Sequence, residues 1–323
     1  MLTRELEARL RRHRPVRWWW RPLRSLRRVR AVSEGDLFTW VGQRPRGTRE
    51  LVRHARGEAA VELLLNELDV LSRLGELEGL PPLLWSARPG SEELMAGLAW
   101  SERHELVYPL DFRWLLSSFV RLAEIVGAIH DRGWLHGDLK PEAVHWSADP
   151  LQTLLWDLRL AQEPGEPKFE AFSARYASPE QVAGDPMLFS SDVYALGVML
   201  YSLFIRSRFP SILMPRAPGP AGIEDAGASL SAITAIGAFD DEEMPLARAV
   251  PAPPSARGDD QTILGAKVLF AMELDRVMRR TADIGIGNEV IAIIGCATSQ
   301  KPADRYPNGA VFAAELEAIL MRR

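Results

Sequence analysis

The segment HGDLKPEAVHW, residues 136–146, is a charged loop between two well-defined apolar patterns. The preceding stretch FVRLAEIVGAIHDRG repeats apolar residues at helical spacing and ends at the helix-stopping Gly133. The following stretches AVHWS and LQTLLWDLR predict a short hairpin. Asp138 and Lys140 therefore lie in a loop between a helix and a hairpin. From there the carboxylate can orient a hydroxyl group and the ammonium can reach a phosphate.

The apolar pattern changes near residue 110. Before it, VRAVSEGDLFTWVGQ and RELVRHA predict three strands, and GEAAVELLLNELDVLSRLGEL predicts one helix. LPPLLWS and HELVYPL predict further strands. After it, helical patterns dominate from DVYALGVMLYSLF onward. The sequence therefore predicts an α+β fold with a small strand-rich region followed by a larger, mainly helical one.

Five segments occur in an order that resembles the protein kinases, in particular the Ser/Thr kinases common in bacteria. HGDLKPEAV resembles their catalytic loop HRDLKPxN, and DLR at residues 157–159 stands in the place of DFG. SARYASPEQ, SDVYALGVMLY and KPADRYPNGAVFAAEL are similar to the end of the activation loop, the central buried helix and the final helix. The resemblance implies a bilobal protein-kinase-like fold, with a β-rich N-lobe at residues 29–110 and a helical C-lobe at residues 111–323.

The resemblance also implies roles for single residues. In an active enzyme that uses ATP and Mg²⁺, Asp138 would be the catalytic base, Lys140 would contact the transferred phosphate and Asp157 would bind the metal. Ser173 would lie in the loop that faces a protein substrate. Four further residues would have structural roles: His136, Glu180, Asp192 and Arg305. Asp192 would hold the backbone of the catalytic loop, and Arg305 would pair with Glu180.

The expected nucleotide-binding residues depart from the family pattern. The chain has four lysines, and none precedes Lys140, so Arg53 stands in for the usual strand lysine opposite Glu67. An arginine preserves an ion pair better than it preserves the position of a phosphate. The glycine-rich lid is reduced to Gly35, which has acidic neighbours at Glu34 and Asp36.

The expected metal-binding residues depart from the pattern as well. Ala143 replaces the asparagine that would bind a second Mg²⁺, and only Glu142 or His145 is near enough in sequence to compensate. In DLR, Arg159 replaces a glycine and can fill the nucleotide site with its own charge. Losing one preorganised charge contact costs on the order of a hundredfold in rate.

These departures favour a pseudokinase, a kinase-fold binding or scaffold module with weak or no ATP binding. The alternative is a divergent but active Ser/Thr protein kinase that transfers the ATP γ-phosphate to a protein hydroxyl. A small-molecule kinase is a second alternative, because relatives of the aminoglycoside phosphotransferases also use HGD. We expect a protein partner or a protein substrate, and no sequence-specific nucleic acid.

Residues 1–28 form a basic arm. Residues 1–30 contain eleven arginines against Glu5 and Glu7, and they include a WWW triplet. Such an arm can bind an acidic partner or a membrane surface, or it can pack across the chain's own acidic surface. The longest apolar stretch, residues 193–205, is too short to span a membrane, and residues 1–30 lack the apolar core of a secretory signal. We therefore predict a cytoplasmic protein, and any peripheral membrane association would come from the arm. Residues 209–263 are rich in Pro, Gly and Ala and predict a disordered insertion in the C-lobe.

Overall fold

The computed structural model describes residues 4–10, 27–34, 36–45, 48–100, 110–208 and 286–322. The predicted insertion and Gly35 lie outside these residues, as does all but the last residue of the HELVYPL strand prediction. Within the described part of the chain, no helix combines the length and apolar character that crossing a membrane requires.

Between residues 27 and 99 the chain forms a five-stranded antiparallel sheet with the order β1-β2-β3-β5-β4. Four strands follow the sequence prediction, whereas β5 was missed because ELMAGLA is rich in residues with low strand propensity. Tertiary packing explains its Gly97, since a Cβ there would lie 2.2 Å from Nε1 of Trp85 on the neighbouring strand. The strands are β1 Arg27–Glu34, β2 Leu37–Gln43, β3 Arg49–Arg56, β4 Leu83–Ala87 and β5 Glu93–Ala99.

Two helices pack beside one another on this sheet region. The longer, α2 (Glu58–Leu74), buries its apolar face together with Asn66 and Glu67. The shorter, α1 (Arg4–Leu10), inserts Leu6 and Leu10 into the same apolar cluster. Arg9 on α1 donates to Asp69 on α2 through Nε at 3.1 Å and Nη2 at 3.0 Å. This part of the basic arm therefore packs against an acidic residue of its own chain.

The second half of the chain is mainly helical. The helix α3 (Phe112–His130) starts where Asp111 accepts a hydrogen bond from the backbone of Trp114, as expected of an N-cap residue. The other elements are β6 Val144–His145, β7 Leu154–Leu155, α4 Pro179–Ala183, α5 Phe189–Arg208, α6 Ile286–Ala297 and α7 Gly309–Met321. The short hairpin and the helices α5 and α7 follow the predicted order, whereas the helices α4 and α6 were not predicted individually.

An apolar core joins the sheet to the helices. It runs from Val41 and Leu51 on the strands through Trp156 to the helices α3, α5, α6 and α7. Trp100, which follows β5, packs edge-on against His145 of the hairpin at a ring-centroid distance of 4.9 Å and against Trp156 at 5.7 Å. A small sheet with one long helix above a larger helical half confirms the predicted bilobal α+β fold.

Candidate functional site

Asp192 at the start of α5 holds the backbone of the charged loop. Its carboxylate accepts hydrogen bonds from the amides of His136 at 2.7 Å and Gly137 at 3.0 Å, and it lies 3.0 Å from Nε2 of His130. Nδ1 of His130 accepts from the amide of Gly309, so the proton on Nε2 is donated to Asp192. Burial raises the pKa of Asp192, but these donors outweigh burial and hold its pKa below the usual value.

The loop is also fixed by His136 and Gly137. Nε2 of His136 donates to the carbonyl of Trp156 at 2.9 Å, which ties the loop to the residue before Asp157. Gly137 has a φ of 79°, and a Cβ at this position would lie 2.6 Å from the carbonyl oxygen of Leu160. Glycine is therefore required here for both backbone conformation and space.

We expect the Gly137→Ala substitution to lower the free energy of unfolding by about 2–3 kcal/mol, because it combines left-handed strain with a steric clash. Urea denaturation would measure the change. Gly133→Ala is the matched control, because Gly133 has a φ of 82° but a Cβ there would meet no neighbouring atom within 4 Å. We expect the control to lose about 1 kcal/mol. Equal losses in the two variants would contradict the role of the Leu160 contact.

Asp138 and Lys140 lie together at the centre of the loop. Oδ2 of Asp138 accepts from Nζ of Lys140 at 2.6 Å, and its Oδ1 accepts from the amide of Ser173 at 2.8 Å. Lys140 also donates to the Ser173 hydroxyl at 3.2 Å. Burial lowers the pKa of Lys140, but the carboxylates of Asp138 and Asp157 outweigh it and raise the pKa, so the ammonium stays charged.

Asp157 is engaged by two arginines. It has a left-handed backbone with a φ of 69°. Its Oδ1 accepts from Nε of Arg159 and from Nη1 of Arg53 at 3.2 Å, and its Oδ2 accepts from Nη2 of Arg159 at 2.8 Å. Burial raises the pKa of Asp157, but Arg159 and then Arg53 outweigh it and hold the pKa well below its usual value. Both carboxylate oxygens therefore accept hydrogen bonds from protein cations.

Arg53 and Glu67 form the ion pair that the sequence suggested. Nη1 of Arg53 donates to Oε2 of Glu67 at 2.6 Å, and both side chains are buried. Burial raises the pKa of Glu67 even though Arg53 opposes the shift. Because the same Nη1 reaches Asp157, Arg53 links the sheet, α2 and the DLR segment.

Asn66 and Lys168 belong to this arrangement, and sequence reasoning missed both. Nδ2 of Asn66 donates to the carbonyls of Arg159 at 2.9 Å and Ala161 at 2.8 Å, and Nζ of Lys168 donates to Oδ1 of Asn66. The only signals were an asparagine beside Glu67 in an otherwise apolar helix and one of four lysines in the chain. These contacts fix α2 against the DLR segment.

The described residues form no ready-made site for a divalent cation. They contain no group of three or more His, Cys, Asp or Glu side chains placed to hold a metal ion. Ala143 is buried and has no ligand atom, Glu142 is exposed, and His145 packs among tryptophan rings. Mg²⁺ requires nearly octahedral oxygen coordination, and the carboxylate of Asp157 is already held by Arg159.

Glu180 and Arg305 form a second buried pair, away from these charges. Arg305 donates through Nη1 at 2.7 Å and Nη2 at 2.9 Å to the two oxygens of Glu180. Ser191 donates to the same carboxylate at 2.6 Å. The pair joins α4 to the segment before α7.

Comparison with known proteins gives sequence relatives among the kinases. The chain is 31% identical over 194 residues to human 3-phosphoinositide-dependent protein kinase 1, covering 53% of this chain and 34% of that protein. It is 31% identical over 116 residues to the serine/threonine-protein kinase PknD of Chlamydia caviae, covering 29% of this chain and 12% of that one. It is 37% identical over 100 residues to the serine/threonine-protein kinase pkn2 of Myxococcus xanthus, covering 28% of this chain and 12% of that protein.

The matched regions thus span about a third or less of these relatives. No family model matches the chain. Among solved structures, the kinase PK-1 of the Cydia pomonella granulovirus aligns with a TM-score of 0.49 and 15% identity, covering 68% of this chain and 90% of that one. A structural similarity at that level carries no weight here. The assignment to a superfamily rests on the sequence relatives and on the charged loop, the DLR segment and the SPE segment, which follow one another in the order found in protein kinases. By these features the chain is a member of the protein-kinase-like superfamily.

Proposed function

We propose that this chain is a pseudokinase, a kinase-fold binding module that does not transfer phosphate efficiently. The observation that carries the proposal is the double hydrogen bond from Arg159 to Asp157. Paired hydrogen bonds between a guanidinium and a carboxylate are among the stronger polar contacts in proteins. A metal ion would have to displace Arg159 to use Asp157.

The lost contacts act on the same chemical step. Phosphoryl transfer depends on metal ions and cations that neutralise the charge developing on the phosphates. Ala143 supplies no ligand and Asp157 is engaged, so that neutralisation is weakened at two positions. One such contact accounts for on the order of a hundredfold in rate, and two should leave little turnover.

A divergent, active Ser/Thr protein kinase is the second candidate. It is favoured by the contact of Lys140 with both Asp138 and Ser173, which keeps a carboxylate and a cation together in the loop. In such an enzyme Asp138 would accept the proton of the substrate hydroxyl, and Lys140 would stabilise the transferred phosphate.

A phosphotransfer assay separates the two functions. The purified 323-residue chain would be incubated with labelled ATP, Mg²⁺ and a general protein substrate, in parallel with Asp138→Ala. We expect the wild type and this variant to give the same background signal. Wild-type transfer that Asp138→Ala abolishes would show an active enzyme and overturn the proposal.

A gain-of-function variant extends the assay. Ala143→Asn combined with Arg159→Gly adds a metal ligand and releases Asp157. If these two positions limit transfer, we expect the double variant to exceed the wild type by about tenfold or more, provided that thermal unfolding shows it to be folded.

The basic arm supplies the proposed partner surface. Between α1 and β1, residues 11–26 carry six arginines and three tryptophans without any acidic residue. This composition suits an acidic protein partner or an anionic membrane surface. Cosedimentation with vesicles of phosphatidylserine and phosphatidylcholine, compared with phosphatidylcholine alone, would test the membrane. A variant with all six arginines changed to glutamine is the control for the arm.

A further inference from the structure

The helix α1 is held on α2 by two leucines and one ion pair. Leu6 and Leu10 are 4% and 0% exposed, and they belong to an apolar cluster that also contains residues of α2 and of the sheet. Arg9 pairs with Asp69, and the two side chains are 20% and 27% exposed. An ion pair with that access to water contributes little stability, and a helix of seven residues does not persist by itself in water. The docked position of α1 therefore depends mainly on the burial of the two leucines.

The chain continues from α1 into a stretch that suits an anionic membrane. Residues 11–26 contain six arginines and three tryptophans, with no acidic residue. Arginine is attracted to anionic lipid headgroups, and tryptophan favours the boundary between the headgroups and the acyl chains. Helices that bind at this boundary bury leucines and other apolar side chains in it. A helix α1 released from α2 would add Leu6 and Leu10 to the arginines and tryptophans that follow it.

Leu6 and Leu10 cannot be buried in both places at once. In the docked helix they lie in the apolar cluster with α2, whereas in a membrane-bound helix they would lie among acyl chains. A ligand that binds only one of two states shifts the population toward that state. The coupling is reciprocal, so a change that weakens the docking of α1 must strengthen its binding to a membrane.

We propose that α1 is a membrane-binding helix whose apolar face is covered by α2, and that an anionic lipid surface competes with α2 for Leu6 and Leu10. The leucines and tryptophans beside the arginines favour a lipid surface over a soluble acidic protein, because the lipid offers both anionic headgroups and an apolar layer. The inference rests on the proposed role of the basic arm as a partner surface. It does not depend on whether the chain transfers phosphate.

Cosedimentation of the 323-residue chain with vesicles tests the competition. Vesicles of phosphatidylserine and phosphatidylcholine would be compared with vesicles of phosphatidylcholine alone. Asp69→Ala removes the ion pair without changing α1, and it should bind the phosphatidylserine vesicles about two- to fivefold more tightly than the wild type. Glu76→Ala is the matched control, because it removes an exposed carboxylate beyond the end of α2. Both variants lose one negative charge, so a gain confined to Asp69→Ala reports the release of α1.

The role of the leucines is tested in the Asp69→Ala background. Adding Leu6→Ala and Leu10→Ala should cancel the gain in binding, because the released helix then has little apolar surface to insert. Thermal unfolding would check that this triple variant is folded. Hydrogen exchange of the wild type requires no variant. Residues 58–74 of α2 should exchange faster with the phosphatidylserine vesicles than with phosphatidylcholine alone, whereas α3 should be unchanged.

Four outcomes would overturn the inference. They are no preference of the wild type or Asp69→Ala for phosphatidylserine, equal binding by Asp69→Ala and Glu76→Ala, exchange in α2 that bound vesicles do not change, and a gain that persists without the two leucines. The last outcome would show that the arginines bind anions alone, as they would on a soluble acidic protein. None of these outcomes contradicts the pseudokinase proposal, which the separate transfer assay decides.

Discussion

Replacing Asp192 with alanine is expected to lower the free energy of unfolding by about 3–5 kcal/mol. The substitution leaves the amides of His136 and Gly137 and the ring N–H of His130 without their shared acceptor. His130 and Asp192 have side chains only 1% and 3% exposed, so water cannot replace the lost contacts without opening the core. The charged loop would lose its anchor to α5.

Urea denaturation followed by circular dichroism would measure this loss. Asp192→Asn keeps one acceptor oxygen and should be less destabilised than Asp192→Ala. Asp185→Ala removes an exposed carboxylate and should change stability by no more than about 0.5 kcal/mol. Similar losses at positions 192 and 185 would show that the loop does not depend on this carboxylate.

Replacing Arg305 with alanine is expected to cost a similar amount, about 3–5 kcal/mol, because it leaves the Glu180 carboxylate buried without its cation. The Arg305 side chain is fully buried, and that of Glu180 is 7% exposed. The double variant Glu180→Gln with Arg305→Met should recover part of the loss, since it removes both buried charges. Arg322→Ala breaks the exposed pair with Glu289 and should cost less than about 1 kcal/mol.

The Glu180–Arg305 pair also predicts a dependence on pH. Burial raises the pKa of Glu180, but hydrogen bonds and charge from Arg305 outweigh it, so the folded pKa lies below the usual 4.5. The pair therefore contributes stability above pH 4.5 that is lost as the pH falls through the folded value. The stability difference between wild type and Glu180→Gln should be constant near neutral pH and shrink in acid. A difference that grows on acidification would contradict this assignment.

Local pattern predicted most of the fold. Helical spacing of apolar residues identified α2, α3 and α5, and short alternating runs identified β1, β2 and β3. This works because the side chains on one face of a helix or strand recur at a fixed spacing in the sequence. It failed at β5, where small and helix-favouring residues form a strand that pairs with β3 on one side and β4 on the other. It also could not show that α1, within the basic arm, packs its leucines against α2.

For the candidate site, the sequence by itself determined which charged residues are present and in what order. The sequence shows Asp138, Lys140 and Asp157 directly. It also shows that the usual strand lysine and the metal-binding asparagine are absent. Only the tertiary structure decided that Arg159 pairs with Asp157, that Arg53 contacts Asp157 as well as Glu67, and that Gly137 lies against Leu160. These contacts join side chains and backbone groups whose distances depend on how the sheet, α2 and the loop pack together, and sequence spacing does not fix those distances.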